Sequence, residues 1–145
     1  MARAWLQHLR GSAVFKLEGL SEEQLRWRPA PAANSLGALV VHLGCSERLW
    51  IRAIFAGETM DMAWRARMFE LPDGWGYDEI VEFYRDETRL VDAVLDRASS
   101  FDLPSAGDLR PTTLRWAVGH LIKETARHVG HMDITRELLD GRTGR

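Results

Sequence analysis

A chain of 145 residues, 46% of them hydrophobic, has the commonest length of a single domain and enough apolar side chains for one substantial core, so one domain over residues 1–145 is expected. Its 19 Lys and Arg stand against 21 Asp and Glu, a net charge of -2 with no basic run, which argues against nucleic acid as a partner. The one cysteine, Cys45, cannot close an internal disulfide, no exporting segment opens the sequence, and the longest uncharged apolar stretch, Ser35 to Leu43, is about half of the roughly 20 residues of a membrane span. A soluble protein of the reducing cytoplasm with no membrane partner is expected.

In chain order, Trp5, Leu9, Ala13 and Leu17 recur every four residues from Ala2 to Lys16 and predict an amphipathic helix that Gly19 ends. Ser21-Glu22-Glu23-Gln24 has capping-box form and predicts a short helical turn to about Arg26; Pro29 and Pro31 then hold the chain extended. Asn34 or Ser35 can cap a second helix with Leu36, Leu39, Val40, Leu43, Trp50 and Ile54 on its core side, stopped by Gly57. Its register sets His42 beside Leu39 and Ser46. The connection from Glu58 to Gly76, with a short helix expected within Met62 to Phe69, is long for a helical loop and is expected to cover something. A third helix is expected from about Asp78 to Ala98, with Ile80, Tyr84, Leu90, Val91, Val94 and Leu95 inward. Thr112 or Thr113 then caps a last one that runs to Asp140, before Gly141. Strand-like alternation is absent, so the expected class is all-α, a four-helix bundle.

Four of the 5 histidines lie on the second and last predicted helices. At about 100° per residue Glu124 and His128 sit about 40° apart on the helix wheel, with His120 and His131 on the same stripe. That stripe borders the apolar face of Leu114, Val118, Leu121, Thr125 and Met132, and so follows the bundle seam, where helical bundles build metal sites. Two imidazoles and a carboxylate from His42, Glu124 and His128 are the donor set of an open catalytic zinc site, and they suit nickel or iron(II) as well. Taken alone, the Glu124–His128 spacing fits a solvated helix face equally well, and His42 fits a hydrogen-bonded packing residue.

The chain resembles the DinB-like, or YfiT-like, family of metal-dependent bundles, and within it the mycothiol-related branch. The likeness is carried by Lys16-Leu17-Glu18-Gly19-Leu20-Ser21-Glu22-Glu23-Gln24 with Arg28-Pro29, by Val41-His42-Leu43 with Glu47 and Trp50, by Phe55-Ala56-Gly57-Glu58, and by Glu124-Thr125-Ala126-Arg127-His128-Val129-Gly130-His131-Met132-Asp133. Many members have His at the position of Glu124; the mycothiol-dependent maleylpyruvate isomerases have Glu there, as here. Their zinc ligands carry over to His42, Glu124 and His128. The resemblance also implies up-down-down-up connectivity and a homodimer. Those isomerases carry a further C-terminal domain at their substrate site, whereas this sequence ends at Arg145, which sets that particular isomerisation apart from what is expected here.

The expected activity is therefore that of a thiol-dependent S-transferase or isomerase, in which a low-molecular-weight thiol, mycothiol or bacillithiol, meets a small electrophilic substrate at the metal. His131, one turn beyond His128, is expected to orient the bound groups as a catalytic residue or, like His120, to serve equally well at the helix surface or a dimer contact, and Asp133 or Glu47 to fix a ligand imidazole. Two other readings stay open: a metal-dependent hydrolase with Glu124 as base, and a dimeric, metal-stabilised bundle with a stress or binding role and no catalysis. Cys45 is expected to be buried filler, His8 a surface residue, and Trp64 and Trp75 to line a pocket mouth.

Overall fold

Side-chain caps set the helix starts. Ser21 Oγ accepts the Gln24 N–H while the Gln24 side chain accepts the Ser21 N–H, and this box opens a helix at Glu22. Ser35 Oγ accepts the Ala38 N–H at 3.2 Å, and Thr113 Oγ1 accepts the Trp116 N–H at 3.3 Å; each thereby satisfies a first-turn donor that has no partner within its own helix. In this computed structural model, which describes residues 1–107 and 109–144, the helices are α1 (Ala2–Phe15), α2 (Glu22–Arg26), α3 (Leu36–Glu47), α4 (Tyr77–Arg97) and α5 (Leu114–Asp140). Asp108, in the loop expected between Pro104 and Pro111, and Arg145, the end of the expected domain, lie outside the described residues. Gly141, at φ 74°, ends α5 in the left-handed conformation that a side chain would strain.

The class is all-α, as expected. Among the described residues the one strand-like feature is an isolated bridge between Pro104 and Thr113, and no helix is long and apolar enough to cross a membrane. Helix α3, buried along its whole length, packs against α4 and α5, and α1 packs along α5. Partners along α3 and α4 ascend together: Gly37 lies by Ile80, Gly44 by Phe83, and Arg48 pairs with Glu87. Between α1 and α4 they run opposite ways, Arg3 meeting Asp96 and Gln7 meeting Asp92. Glycine permits the close α3–α4 approach, since a Cβ on Gly44 would stand 2.7 Å from the Phe83 ring.

Two features depart from the sequence reading. The inward face of α1 is Leu6, Arg10, Ala13 and, just beyond it, Leu17; Trp5 is 57% exposed and Leu9 only half-buried. Ala13 and Leu17 face inward as expected, whereas in the first turns the inward face falls one position later, at Leu6 and Arg10, so that an arginine occupies a core place. Arg10 is buried because its charge is answered there: its Nε donates to Glu47 Oε1 at 2.8 Å, its Nη2 to Glu47 Oε2, and its Nη1 to Asp92 Oδ1 at 2.8 Å. The second departure follows α3 directly. Residues Arg48–Phe55 continue it as a π-helix, a wider coil that is uncommon at this length and recurs near functional sites.

Candidate metal centre

Three donors converge between α3 and α5. His42 stands on the second turn of α3, and Glu124 and His128 stand one turn apart on α5; one ligand atom from each lies within 4.8 Å of the others. The two imidazoles meet with ring centroids 4.8 Å apart and planes at 76°, and Glu124 Oε2 lies 3.6 Å from His128 Nε2. His42 Nε2 lies 3.3 Å from Ser46 Oγ, the neighbour that its helix register gives it. The other ring nitrogens, Nδ1 of His42 and both of His128, are buried without a hydrogen-bond partner. Buried polar atoms left so cost a kcal/mol or more each and are rare in folded proteins, except where a ligand, an ion or a water completes them.

The electrostatics suit a cation. Burial, with the neighbouring His128 next, pushes His42 down to about 4, and burial followed by the charge of Arg127 pushes His128 below its ordinary value. Both imidazoles are therefore neutral near pH 7, with lone pairs free to ligate. Burial works against ionisation of Glu124, but Lys123 at 3.1 Å and Arg127 at 2.9 Å outweigh it and hold the carboxyl below its usual range. Two neutral imidazoles and one carboxylate fit a divalent metal in charge, donor type and number.

The site has a cover and a mouth. From the Glu58–Gly76 connection, which contains a 3₁₀ turn at Ala63–Arg67, Phe69 stacks on His42 at 3.7 Å and 12° and lies 6.2 Å from His128. The expectation that this connection covers something is met by a residue the sequence reading did not single out; a bulky aromatic in a long connection was its only signal. Beside Phe69, a cavity of about 430 Å³ is lined by Leu39, Asn34, His128, His131 and Thr135 among others. His131 is exposed, with its ring centroid 5.7 Å from that of His128.

Several expected neighbours go elsewhere. Glu47 is held by Arg10, and Asp133 pairs with Lys16; buried cations on α1 and at its C-cap claim both carboxylates, so neither orients an imidazole of the triad. His120, one turn before Glu124, is not part of the ligand cluster; its ring stacks on Trp116 at 5.1 Å and meets Trp50, on the π-helical segment, at 4.3 Å. Cys45 is buried, as expected, and burial pushes its thiol up to about 11. Trp64 and Trp75 do line a cavity, but one separate from the triad. His8 is exposed, edge-on to Trp5.

Two solved structures share this fold. A conserved protein from Enterococcus faecalis superposes with a TM-score of 0.72 at 19% identity, over 97% of this chain and 96% of that one. A DinB-like protein from Bacillus cereus gives 0.65 at 21% identity, over 94% and 91%. A curated relative, the outer membrane protein assembly factor BamC of Accumulibacter regalis, is 35% identical over 89 residues, which are 58% of this chain and 22% of that protein. The chain thus matches about a fifth of that relative's length. The family description mycothiol S-transferase matches residues 1–141, nearly the whole sequence and a span that contains the triad. With a DinB-like fold beneath it and a His/Glu/His cluster able to hold a metal, the chain belongs to the mycothiol S-transferase family.

Proposed function

We propose that this protein is a metal-dependent S-transferase that holds one divalent metal, zinc ahead of nickel or iron, on His42, Glu124 and His128. It would join a low-molecular-weight thiol, mycothiol or bacillithiol, to a small electrophile. The observation that carries the reading is the set of buried, unpartnered imidazole nitrogens facing an ionised carboxylate. Bound there, the metal would supply Lewis acidity, lowering the pKa of a coordinated thiol so that the more nucleophilic thiolate is present at neutral pH.

The protein's own residues would do the rest. His42 and His128, held neutral by burial, offer lone pairs without first losing a proton, and Ser46 fixes the ring of His42. Phe69 excludes water from one face of His42. His131, which lines the cavity beside His128, would accept the thiol proton as general base and steer the electrophile. With an alkyl or aryl halide as the electrophile, sulfur forms the new bond to carbon and halide leaves. As part of the same reading, residues 1–145 act as one domain, as a homodimer in the cytoplasm.

The test is the metal content of untagged protein never exposed to a nickel column, wild type beside Glu124→Ala and His128→Ala. About one equivalent in the wild type, lost in both variants while each stays folded, is the expected result. Wild type that neither carries metal nor gains stability from added zinc would end the proposal. Thioether formation from mycothiol and a haloaromatic, lost in His131→Ala with metal content unchanged, tests the transfer and the role of His131 separately.

A further inference from the structure

The Glu124 carboxylate is held at both oxygens. Oε1 pairs with Lys123 Nζ at 3.1 Å, and Oε2 accepts from Arg127 Nη2 at 2.9 Å. Oε2 is also the oxygen that lies 3.6 Å from His128 Nε2. Two donors at about 2.0 Å from a tetrahedral ion stand about 3.3 Å apart, so Oε2 and that nitrogen are already close to ligand spacing. Consecutive residues point about 100° apart around a helix; Lys123 meets its neighbour because its four-carbon stem is long enough to bend back to it. The Glu124 side chain is only 13% exposed, so water is a poor substitute for Lys123 at Oε1.

The number of oxygens that Glu124 gives a metal decides whether the site stays open. A catalytic zinc site holds three protein ligands and leaves a fourth position for water or substrate. With one nitrogen from each imidazole, a carboxylate bound through one oxygen leaves that position free. Bound through two oxygens, as carboxylates can be, it fills the position itself. An Oε1 anchored on an ammonium group favours the first arrangement.

We propose, resting on the metal reading above, that Lys123 is a positioning residue that keeps Glu124 a one-oxygen ligand and so reserves a coordination position for the thiol. Arg127 steadies the oxygen that faces His128, and Lys123 keeps the other away from the metal. Lys123 does not line the cavity beside His128 and acts on the reaction through Glu124 alone.

The experiment loads the full-length protein with cobalt(II), which suits the same donors as zinc and absorbs visible light. It is then titrated with imidazole, an uncharged ligand that takes an open position. Lys123→Met should bind imidazole about three- to fivefold more weakly than the wild type, the worth of one partly exposed charged contact. Its zinc affinity, read by competition with a chromophoric chelator, should be unchanged or tighter, since the freed oxygen turns to the metal. Lys123→Arg should restore imidazole binding. Arg127→Met removes an equal charge from the same carboxylate but leaves Oε1 held, so it should bind imidazole as the wild type does. Zinc and imidazole affinity falling together in Lys123→Met would mark a merely structural role. That result, an unchanged imidazole affinity, or an equal loss in Arg127→Met overturns the inference while the metal reading stands. Wild type that takes up no cobalt overturns both.

Discussion

His42 and His128 meet ring to ring at 4.8 Å between centroids, and of their ring nitrogens only His42 Nε2 has a hydrogen-bond partner, Ser46. A pair so arranged is a liability to the metal-free fold, since each orphaned nitrogen has given up water for nothing. Replacing His128 by Leu, similar in bulk and without polar atoms, should therefore stabilise the metal-free protein by about 1–2 kcal/mol while abolishing metal binding. Urea unfolding of chelator-treated wild type and His128→Leu checks this; a lower midpoint in the variant would mean that the imidazole has partners in solution.

Metal should reverse that order. A ligand that binds only the folded state at a hundredfold excess over its Kd adds about 2.7 kcal/mol, roughly 8 °C in Tm for a chain of this size. Added zinc should thus raise the Tm of the wild type and leave that of His128→Leu unchanged, as differential scanning calorimetry would show. Equal shifts in the two proteins would place the binding elsewhere.

The metal-free protein should also depend on pH. His42 is held at about 4 by burial, against an ordinary value near 6.5 in the unfolded chain. Between those values the unfolded state binds the proton and the folded state does not, so stability is full above about pH 6.5 and falls as pH drops toward 4. The loss assigned to His42 is about 2–3 kcal/mol, with His128 adding in the same direction. Urea midpoints at pH 7 and pH 4.5 measure it, and His42→Asn should flatten the difference. Identical midpoints at the two pH values in the wild type would show that His42 protonates freely in the fold.

Phe69 is 42% exposed yet stacks on His42 at 3.7 Å, a position in which it hinders approach to the imidazole more than it builds the core. Phe69→Ala should lower stability by only about 1 kcal/mol and speed metal uptake about fivefold, the equivalent of the lost contact in the barrier. Stopped-flow zinc transfer from a chromophoric chelator reads the rate. An unchanged rate would mean that metal enters from the side of His131.

The helix spans were legible because local chemistry writes them: the Ser21, Ser35 and Thr113 caps and the Gly141 terminator act within a few residues of themselves. The approach of Glu124 to His128 follows from helix spacing in the same way. The partners of Glu47 and Asp133 were not legible, because Arg10 and Lys16 reach them across the bundle and nothing local distinguishes a surface arginine from a buried one. The π-helical segment at Arg48–Phe55 contains no Gly or Pro to announce it. The ring contacts of His120 with Trp50 and Trp116 were equally hidden.

Arg10 and Glu47 are the residues on which that hidden part of the core depends. Both are nearly inaccessible, at 5% and 1% side-chain exposure, and Asp92 completes the guanidinium from α4. Burial opposes the charge on Arg10, but the hydrogen bonds from Glu47 and Asp92 raise its pKa above the ordinary value. Such a pair is worth little against a well-packed apolar replacement, yet losing one member strands the other as an uncompensated buried charge. Glu47→Leu alone should therefore cost about 3–5 kcal/mol, and Arg10→Met with Glu47→Leu should recover most of that loss. Guanidinium unfolding of the wild type and the two variants measures the loss and its recovery, and Arg10→Met alone completes the cycle that gives the coupling. If the double variant is no more stable than Glu47→Leu, the pair does more than neutralise itself, and the α1–α3–α4 junction relies on its hydrogen-bond geometry.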